Sequence, residues 1–420
     1  SPYYINSGYS VATYQRGDKK IYGMNIPENM KSTNLKPERK NAWEVGLDWR
    51  FLDSRIGVDL TYYKENTRNQ IMTINVPWES GVKEKLINAG NIQNSGIEIA
   101  LNTTPIKKKQ WQWDLNFTYT RNRNKIVELS PDVTSYINLD GAANYGNYRI
   151  ASVAKVGSDY GMLMSDSWIK TDEKTGKPVV GYTNKFRTVY YKRGGTVKEV
   201  GSMLPNFLGS LNSTLRWKDL SLYVLFDARF GGYVASYNSR YATAYGFSGE
   251  TEKYRKGMTW TSKYANAQDK VFTDGFIPDV VFDAGTIVTT PGGTNQDVSG
   301  MTYQEAYEKG YVEPAHLQSA AYFKNSWGTG VINDDWFKKI NYIALREITL
   351  SYNVPTKICS YIGAKNLSLS FTGRNLAYLL NTAPNHENPE SVRGTGAAQF
   401  RMRSFMPYTA SYLFTLNATF

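Results

Sequence analysis

The chain has 420 residues, with 49 Lys and Arg against 37 Asp and Glu for a net charge of +12, and a mean hydropathy of −0.48. It contains no run of eighteen or more apolar residues, which excludes a transmembrane helix, and Ser1 to Ser10 lack the basic segment and apolar core of a signal peptide. The basic residues are scattered apart from Lys107-Lys108-Lys109, so the charge points to a surface near anionic headgroups or phosphates, and no nucleic-acid partner is expected.

Aromatic residues make up 14% of the chain, led by 32 tyrosines, and 35 glycines accompany them. That mix favours strands joined by turns. Residues 1–38 read as a loop or strand remnant leading into the rest. From residue 39 onward the side chains alternate with period two, the spacing that sends successive residues to opposite faces of a strand. In 39–52, Trp43, Val45, Leu47, Trp49 and Phe51 alternate with Glu44, Gly46, Asp48 and Arg50. In 55–70 the apolar set is Ile56, Val58, Leu60 and Tyr62. A strand at 85–104 follows, then 110–125, where Trp111, Trp113, Leu115, Phe117 and Tyr119 alternate with Gln112, Asp114, Asn116, Thr118 and Thr120. Strands are also expected at 146–156 and 160–170. Next come 200–217, with Phe207, Leu211, Leu215 and Trp217 on one face, and 219–231, with Leu220, Leu222, Val224, Phe226 and Phe230. In 337–354 the pattern slips, because Ile343 and Leu345 fall on the opposite parity to Ile348, Leu350 and Tyr352; a β-bulge would restore it. Strands at 366–381 and 404–420 complete a set of eleven. In the last of these Tyr408, Ala410, Tyr412, Phe414, Leu416, Ala418 and Phe420 share one face.

Strands of roughly ten residues or more can cross a bilayer when tilted, whereas soluble sandwiches use about five or six. Only alternate positions need to face lipid, so the low mean hydropathy is no objection. The connections fall into two classes: 52–54, 107–110, 157–159 and 218–219 are short, while 125–145, 171–200, 232–336 and 381–404 are long. Short turns at one rim and long loops at the other mark an outer-membrane barrel. Trp49, Trp111, Trp113 and Trp217 lie beside short turns, where an aromatic girdle would sit. The expected fold is all-β, an antiparallel transmembrane β-barrel over 39–420. Its loops would be extracellular and its C-terminus periplasmic. Bacterial single-chain barrels have an even strand number, so eleven places part of the wall outside this stretch.

At Asn34-Leu35-Lys36-Pro37-Glu38 and Trp43-Glu44-Val45-Gly46-Leu47-Asp48 the chain resembles the SusC/RagA family of TonB-dependent transporters. Further segments fall in the family order. They are Arg55 to Tyr63, the stretch Asn88-Ala89-Gly90-Asn91-Ile92-Gln93-Asn94-Ser95-Gly96-Ile97-Glu98, Phe117 to Lys125, Leu345 to Pro355, and Thr372-Gly373-Arg374-Asn375-Leu376. The resemblance runs from about Asn34 to Phe420. It implies the C-terminal half of a 22-stranded barrel; the family's plug and TonB box have no counterpart here. It further implies active nutrient import, coupling to TonB through the N-terminal part, and a SusD-like surface lipoprotein that delivers glycan oligosaccharides or oligopeptides.

Nothing in the sequence supports catalysis. His316 and His386 read as loop histidines outside any triad or metal spacing. Asp334-Asp335 beside Trp336 reads as a solvated loop end rather than a cation site, and Gly194-Gly195 and Gly292-Gly293 as turns. Cys359, the single cysteine, forms no internal disulfide and is expected as a small residue near a turn. No cofactor or metal is expected. The segment 232–336 is too long for a passive connection and rich in rings. Tyr237, Tyr241, Tyr245, Trp260, Trp327 and Trp336 are the candidate substrate- or partner-binding residues. Thr302, with Glu305 three residues on, predicts a capped helix over 302–309. Phe420, with Tyr412 and Phe414 behind it, is the expected barrel-assembly signal. A soluble or surface β-rich adhesin or lectin-like binding protein is the alternative; long strands and sorted loops count against it.

Overall fold

The computed structural model describes residues 10–25, 29–30, 35–76, 79, 81–82, 84–88, 90–131, 133, 135–139, 150–185, 187–245, 247–252, 256–316, 332, 337–393, 400–402 and 407–420. Nine long strands make the wall: β1 (Arg39–Phe51), β2 (Ile56–Arg68), β3 (Gly90–Lys108), β4 (Trp111–Leu129), β5 (Phe207–Trp217), β6 (Leu220–Ser236), β7 (Phe337–Asn353), β8 (Asn366–Asn381) and β9 (Ser411–Thr419). Each pairs antiparallel with the wall strand before and after it in the chain. The result is a meander in one sheet. Its outer members, β1 and β9, have no second strand neighbour among the described residues.

Two short strands, Val392–Arg393 and Arg401–Met402, also join the sheet, but at two residues each they are no part of the wall, which has nine strands among the described residues where eleven were expected. The segments expected as wall strands at 146–156 and 160–170 are not in this sheet. They form Ile150–Lys155 and Met162–Ser165 of a separate four-stranded sheet with Tyr136–Asn138 and Lys198–Ser202. At six and four residues they are too short to cross a bilayer. Consecutive residues such as Val153, Ala154 and Leu163, Met164 are buried, so neither strand keeps one apolar and one polar face. The turn at 157–159 accordingly does not join two wall strands. It docks on β4, where the Ile126 N–H donates to the Ser158 carbonyl at 2.9 Å. All of 130–206 is therefore one excursion between β4 and β5.

Cross-strand partners keep a single parity through the wall. Leu47 pairs with Leu60, Leu60 with Ile99, Leu101 with Phe117, Phe117 with Leu211, Leu215 with Leu222, Leu222 with Leu350, Leu350 with Phe371, and Phe371 with Phe414. One sheet face is thus apolar from end to end and exposed, as Leu47, Phe117, Leu350 and Phe414 show. The parity slip in 337–354 is resolved at Arg346: Leu225 pairs with Glu347 but Phe226 with Leu345, leaving Arg346 as the extra residue of a bulge. Without it, Ile343 and Leu345 would turn away from the apolar face.

Short connections at one rim are 52–55, 109–110 and 218–219, with Trp49, Trp111 and Trp217 beside them; the Trp111 and Trp217 rings stack 5.6 Å apart. A fourth connection at this rim holds α3 (Thr356–Tyr361), in which Cys359 is buried, unpaired, and directs its thiol to the Val354 carbonyl. The described residues of the segments 69–88, 130–206, 237–316 and 382–393 gather at the opposite rim. Two of them share a core: Val180 and Val189 from the first long excursion pack with Phe282, Val288, Val298, Tyr303 and Ala306 from the second. A short parallel pairing of Val179 with Val281 ties them. In that core lies α2 (Tyr303–Glu308), capped by Thr302 and Glu305 in the reciprocal arrangement expected of those two residues.

Candidate functional site

The face opposite the apolar one is polar and bonded across strands. Asn116 donates to Asn102, and Asn212 donates to Asn116 at 3.4 Å; Thr118 and Ser210 lie 2.6 Å apart, Thr349 and Thr372 2.9 Å, Ser351 and Ser370 2.9 Å. Arg216 pairs with Asp114 at 2.9 Å and Arg374 with Glu347 at 2.9 Å. Such pairs hold a hydrated surface in a fixed arrangement.

Two glycines shape its upper part. Gly90 takes φ +137°, and a Cβ there would lie 2.0 Å from the Glu128 carbonyl oxygen. A Cβ on Gly96 would strike the Tyr63 ring, which crosses this glycine to donate from its hydroxyl to Asn122 at 3.1 Å. Asn88 braces the same region, donating to the Lys36 and Asn69 carbonyls, each at 2.8 Å. Its own side-chain oxygen accepts from the Lys36 N–H at 2.8 Å. These are the residues of the Asn88–Glu98 motif.

The bulged Arg346 is the hub of the inner face. Its guanidinium donates to Asp227 at 2.7 and 3.1 Å and to both Glu390 oxygens at 2.7 and 2.8 Å. It also stands over the Tyr342 and Tyr378 rings at 5.7 and 5.9 Å. The Tyr378 hydroxyl donates to Glu390 at 2.7 Å. Burial opposes the charge on Glu390, but Arg346 and Tyr378 hold its carboxyl below the ordinary range. One arginine thereby clamps the 382–393 segment to β6, β7 and β8. Three residues earlier, Glu387 is buried and accepts from Ser236 at 3.1 Å, yet burial pushes its pKa up to about 7.

Above β6 the chain enters α1 (Tyr237–Ala244). Here the structure unites three of the expected binding residues. At spacing i, i+4 the Tyr237 and Tyr241 rings lie 4.5 Å apart, and the Tyr241 and Tyr245 rings 6.1 Å. Tyr237 packs against the buried Phe337 and Phe400 cluster, whereas Tyr245 is 63% exposed. The column runs from core to solvent. Trp260 is elsewhere, stacked 4.8 Å from Phe272, which stacks 5.3 Å from His316. Its indole N–H donates to Glu313 at 3.2 Å, and Ser262 donates to the same carboxylate at 2.7 Å. The cavity among these groups is about 10 Å³, room for one water and not for a sugar ring. His316 is therefore packed rather than loose, and burial lowers its pKa, aided by Arg187 and Lys270. His386 is exposed. Trp327, Trp336 and Asp334-Asp335 lie outside the described residues, and among those described no group of three or more His, Cys, Asp or Glu could hold a metal. Tyr412, Phe414 and Phe420 stand exposed at the chain's end, the first two within β9. Sequence reasoning missed Arg346, Glu390 and Glu387; only the unexplained parity slip at 345–348 marked the place.

A wall with one apolar and one polar face, loops sorted to one rim and girdle tryptophans at the other matches a known family. The model for the TonB dependent receptor-like β-barrel matches residues 2–233. The chain belongs to this family. TonB-dependent receptor P26 of Formosa agariphila is 23% identical over 350 residues, covering 82% of this chain and 30% of that protein. TonB-dependent receptor SusC of Bacteroides thetaiotaomicron is 29% identical over 180 residues, covering 42% of this chain and 17% of SusC. The structure of the RagAB peptide transporter superposes on 99% of this chain and 38% of its own, with TM-score 0.62 at 14% identity, a likeness of fold. The chain thus spans about a third or less of the length of these TonB-dependent receptors, which are outer-membrane β-barrels.

Proposed function

We propose that this chain forms part of the wall and loop crown of a SusC-like, TonB-dependent importer that carries nutrients actively across the outer membrane. The observation that carries the reading is the two-faced sheet: an apolar parity carried across all nine strands at mid-height on one side, a hydrogen-bonded polar wall on the other. A polar inner wall suits a hydrated cargo such as a glycan oligosaccharide or an oligopeptide, and no catalytic group is needed. In this reading the long-loop rim is extracellular and the short-turn rim and C-terminus periplasmic. The plug, the remaining wall and the TonB contact belong to the N-terminal part of the protein, and a SusD-like lipoprotein caps the loops. Phe420, with Tyr412 and Phe414, serves as the barrel-assembly signal.

Within the crown, the Tyr237–Tyr241–Tyr245 column is the contact surface for cargo or lipoprotein, since ring faces stack on sugars and anchor protein interfaces. Trp260 supports the crown from within. Removing 237–330 would strip the shared core from Val180 and Val189, so point variants make the cleaner test. In the intact protein, Tyr241→Ala with Tyr245→Ala should leave barrel assembly unchanged and weaken uptake or lipoprotein capture about tenfold, the equivalent of one lost aromatic contact. Unchanged uptake and unchanged capture would remove the column from the site. A protein that stays soluble without detergent would overturn the membrane reading itself.

A further inference from the structure

The outward face of the wall changes character at one height. On β4 the outward positions run Trp111, Trp113, Leu115, Phe117, Tyr119 and then Arg121, Arg123, Lys125. On β3 the positions paired with Arg123 and Lys125 are Ser95 and Gln93, above Ile97, Ile99 and Leu101. Arg121 is ten residues beyond Trp111. At about 3.3 Å per residue and a tilt of about 40°, that places it roughly 25 Å above the girdle, the height of a barrel's apolar band.

The wall is notched at the same level. β5 pairs with β4 only as far as Leu208 opposite Thr120, while β4 continues to Leu129. The backbone of 157–158 takes up pairing only at Ile126. Between them lies an open cleft of about 880 Å³ lined by Arg121, Arg123 and Lys125, with Asn122 and Asn124 from the opposite parity and the tilted Tyr119 and Phe207 rings, 5.3 Å apart, at its lower edge. Asp159 is the one carboxylate in its lining. None of the three cations has an ion-pair partner among the described residues.

We propose that this notch binds a phosphorylated lipid headgroup of the surrounding leaflet, with the lipid's acyl chains lying on the apolar face below Tyr119 and Phe207. Three cations against one carboxylate supply the charge. Direct continuity with the lipid-facing band supplies what a free anion would not use: an amphiphile satisfies both halves of the surface at once. The inference rests on the membrane reading above.

The test uses the intact protein extracted in detergent from outer membranes, and the triple variant Arg121→Gln, Arg123→Gln, Lys125→Gln. The control, Lys107→Gln, Lys108→Gln, Lys109→Gln, removes the same charge at the opposite rim. Heat-modifiable mobility on gels checks that each variant still assembles. Native mass spectrometry then counts phosphorylated lipid A retained per protein after delipidation and after re-addition in nanodiscs. The expected result is at least about a tenfold loss of retained lipid in the notch variant, none in the control, and no displacement by millimolar inorganic phosphate. Should the notch variant fail to assemble, Arg123→Gln alone is measured instead and is expected to show several-fold loss. Equal retention in all assembled variants, loss in the control as well, or displacement by inorganic phosphate would overturn the proposal while leaving the barrel reading intact. A protein that needs no detergent would overturn both.

Discussion

Phe117→Arg measures whether the apolar parity faces lipid. Phe117 lies between Leu101 on β3 and Leu211 on β5, six residues from the girdle residue Trp111. Six residues at about 3.3 Å, tilted by about 40°, lift it roughly 15 Å, close to the middle of a hydrocarbon layer of about 30 Å. An arginine there should destabilise by about 2–4 kcal/mol. Its neighbour Asn116 points to the other face, within the Asn102–Asn116–Asn212 chain. Asn116→Arg breaks that chain but keeps its charge in water, a loss of about 1 kcal/mol. The two variants should therefore differ by about 2 kcal/mol, roughly thirtyfold in the unfolding equilibrium. Trp111→Arg, at the girdle, should cost only about 0–1 kcal/mol by charge placement. The assay is reversible urea unfolding of the intact protein in lipid vesicles, followed by tryptophan fluorescence. Equal losses at Phe117 and Asn116, or no dependence on height between Trp111 and Phe117, would refute the assignment of faces.

Other perturbations address the crown and the chain's end. Arg346→Met should release the 382–393 segment, making it cleavable by added protease and lowering stability by about 1–3 kcal/mol, because two carboxylates lose one partner; an unchanged cleavage rate would show that the clamp does not hold it. Glu387 has a folded pKa of about 7, above its ordinary value, so its neutral form is the one the fold favours. That contribution is full below the ordinary carboxylate range and is lost as pH rises through about 7. The melting temperature should therefore fall between pH 5 and pH 8, and Glu387→Gln should flatten the fall; an equally steep fall in the variant would exclude Glu387 as its source. Deleting Phe420 should reduce the fraction of protein inserted in the outer membrane, measured by heat-modifiable mobility, and wild-type insertion would leave it a girdle ring only.

The wall was legible because a strand in a bilayer is written in single residues. Lipid on one side and water on the other force alternation, and Trp111–Tyr119, Leu220–Phe230 and Tyr412–Phe420 display it without reference to any partner. The tight turns then fixed the pairing of β1 with β2, β3 with β4 and β5 with β6, whereas the pairings across the long excursions were decided by the fold. The capped helix at 303–308 was legible for the same local reason. At 150–165, local pattern misled: short apolar runs read as strands, and strands they are, but only the tertiary structure decided that they build the crown rather than the wall. The bulge at Arg346 announced itself as a parity slip. Its position and its purpose depended on Asp227, 119 residues away, and Glu390, 44 residues away, meeting one guanidinium. The fate of the rings was likewise a matter of packing. Tyr237, Tyr241 and Tyr245 form a column because helix α1 spaces them by one turn, while Trp260 is absorbed by Phe272, His316 and Glu313 from distant parts of its own excursion. In the wall, sequence alone determined what each residue must face, since solvent acts on residues one at a time; which residues meet was decided by the fold, since contact is a property of pairs.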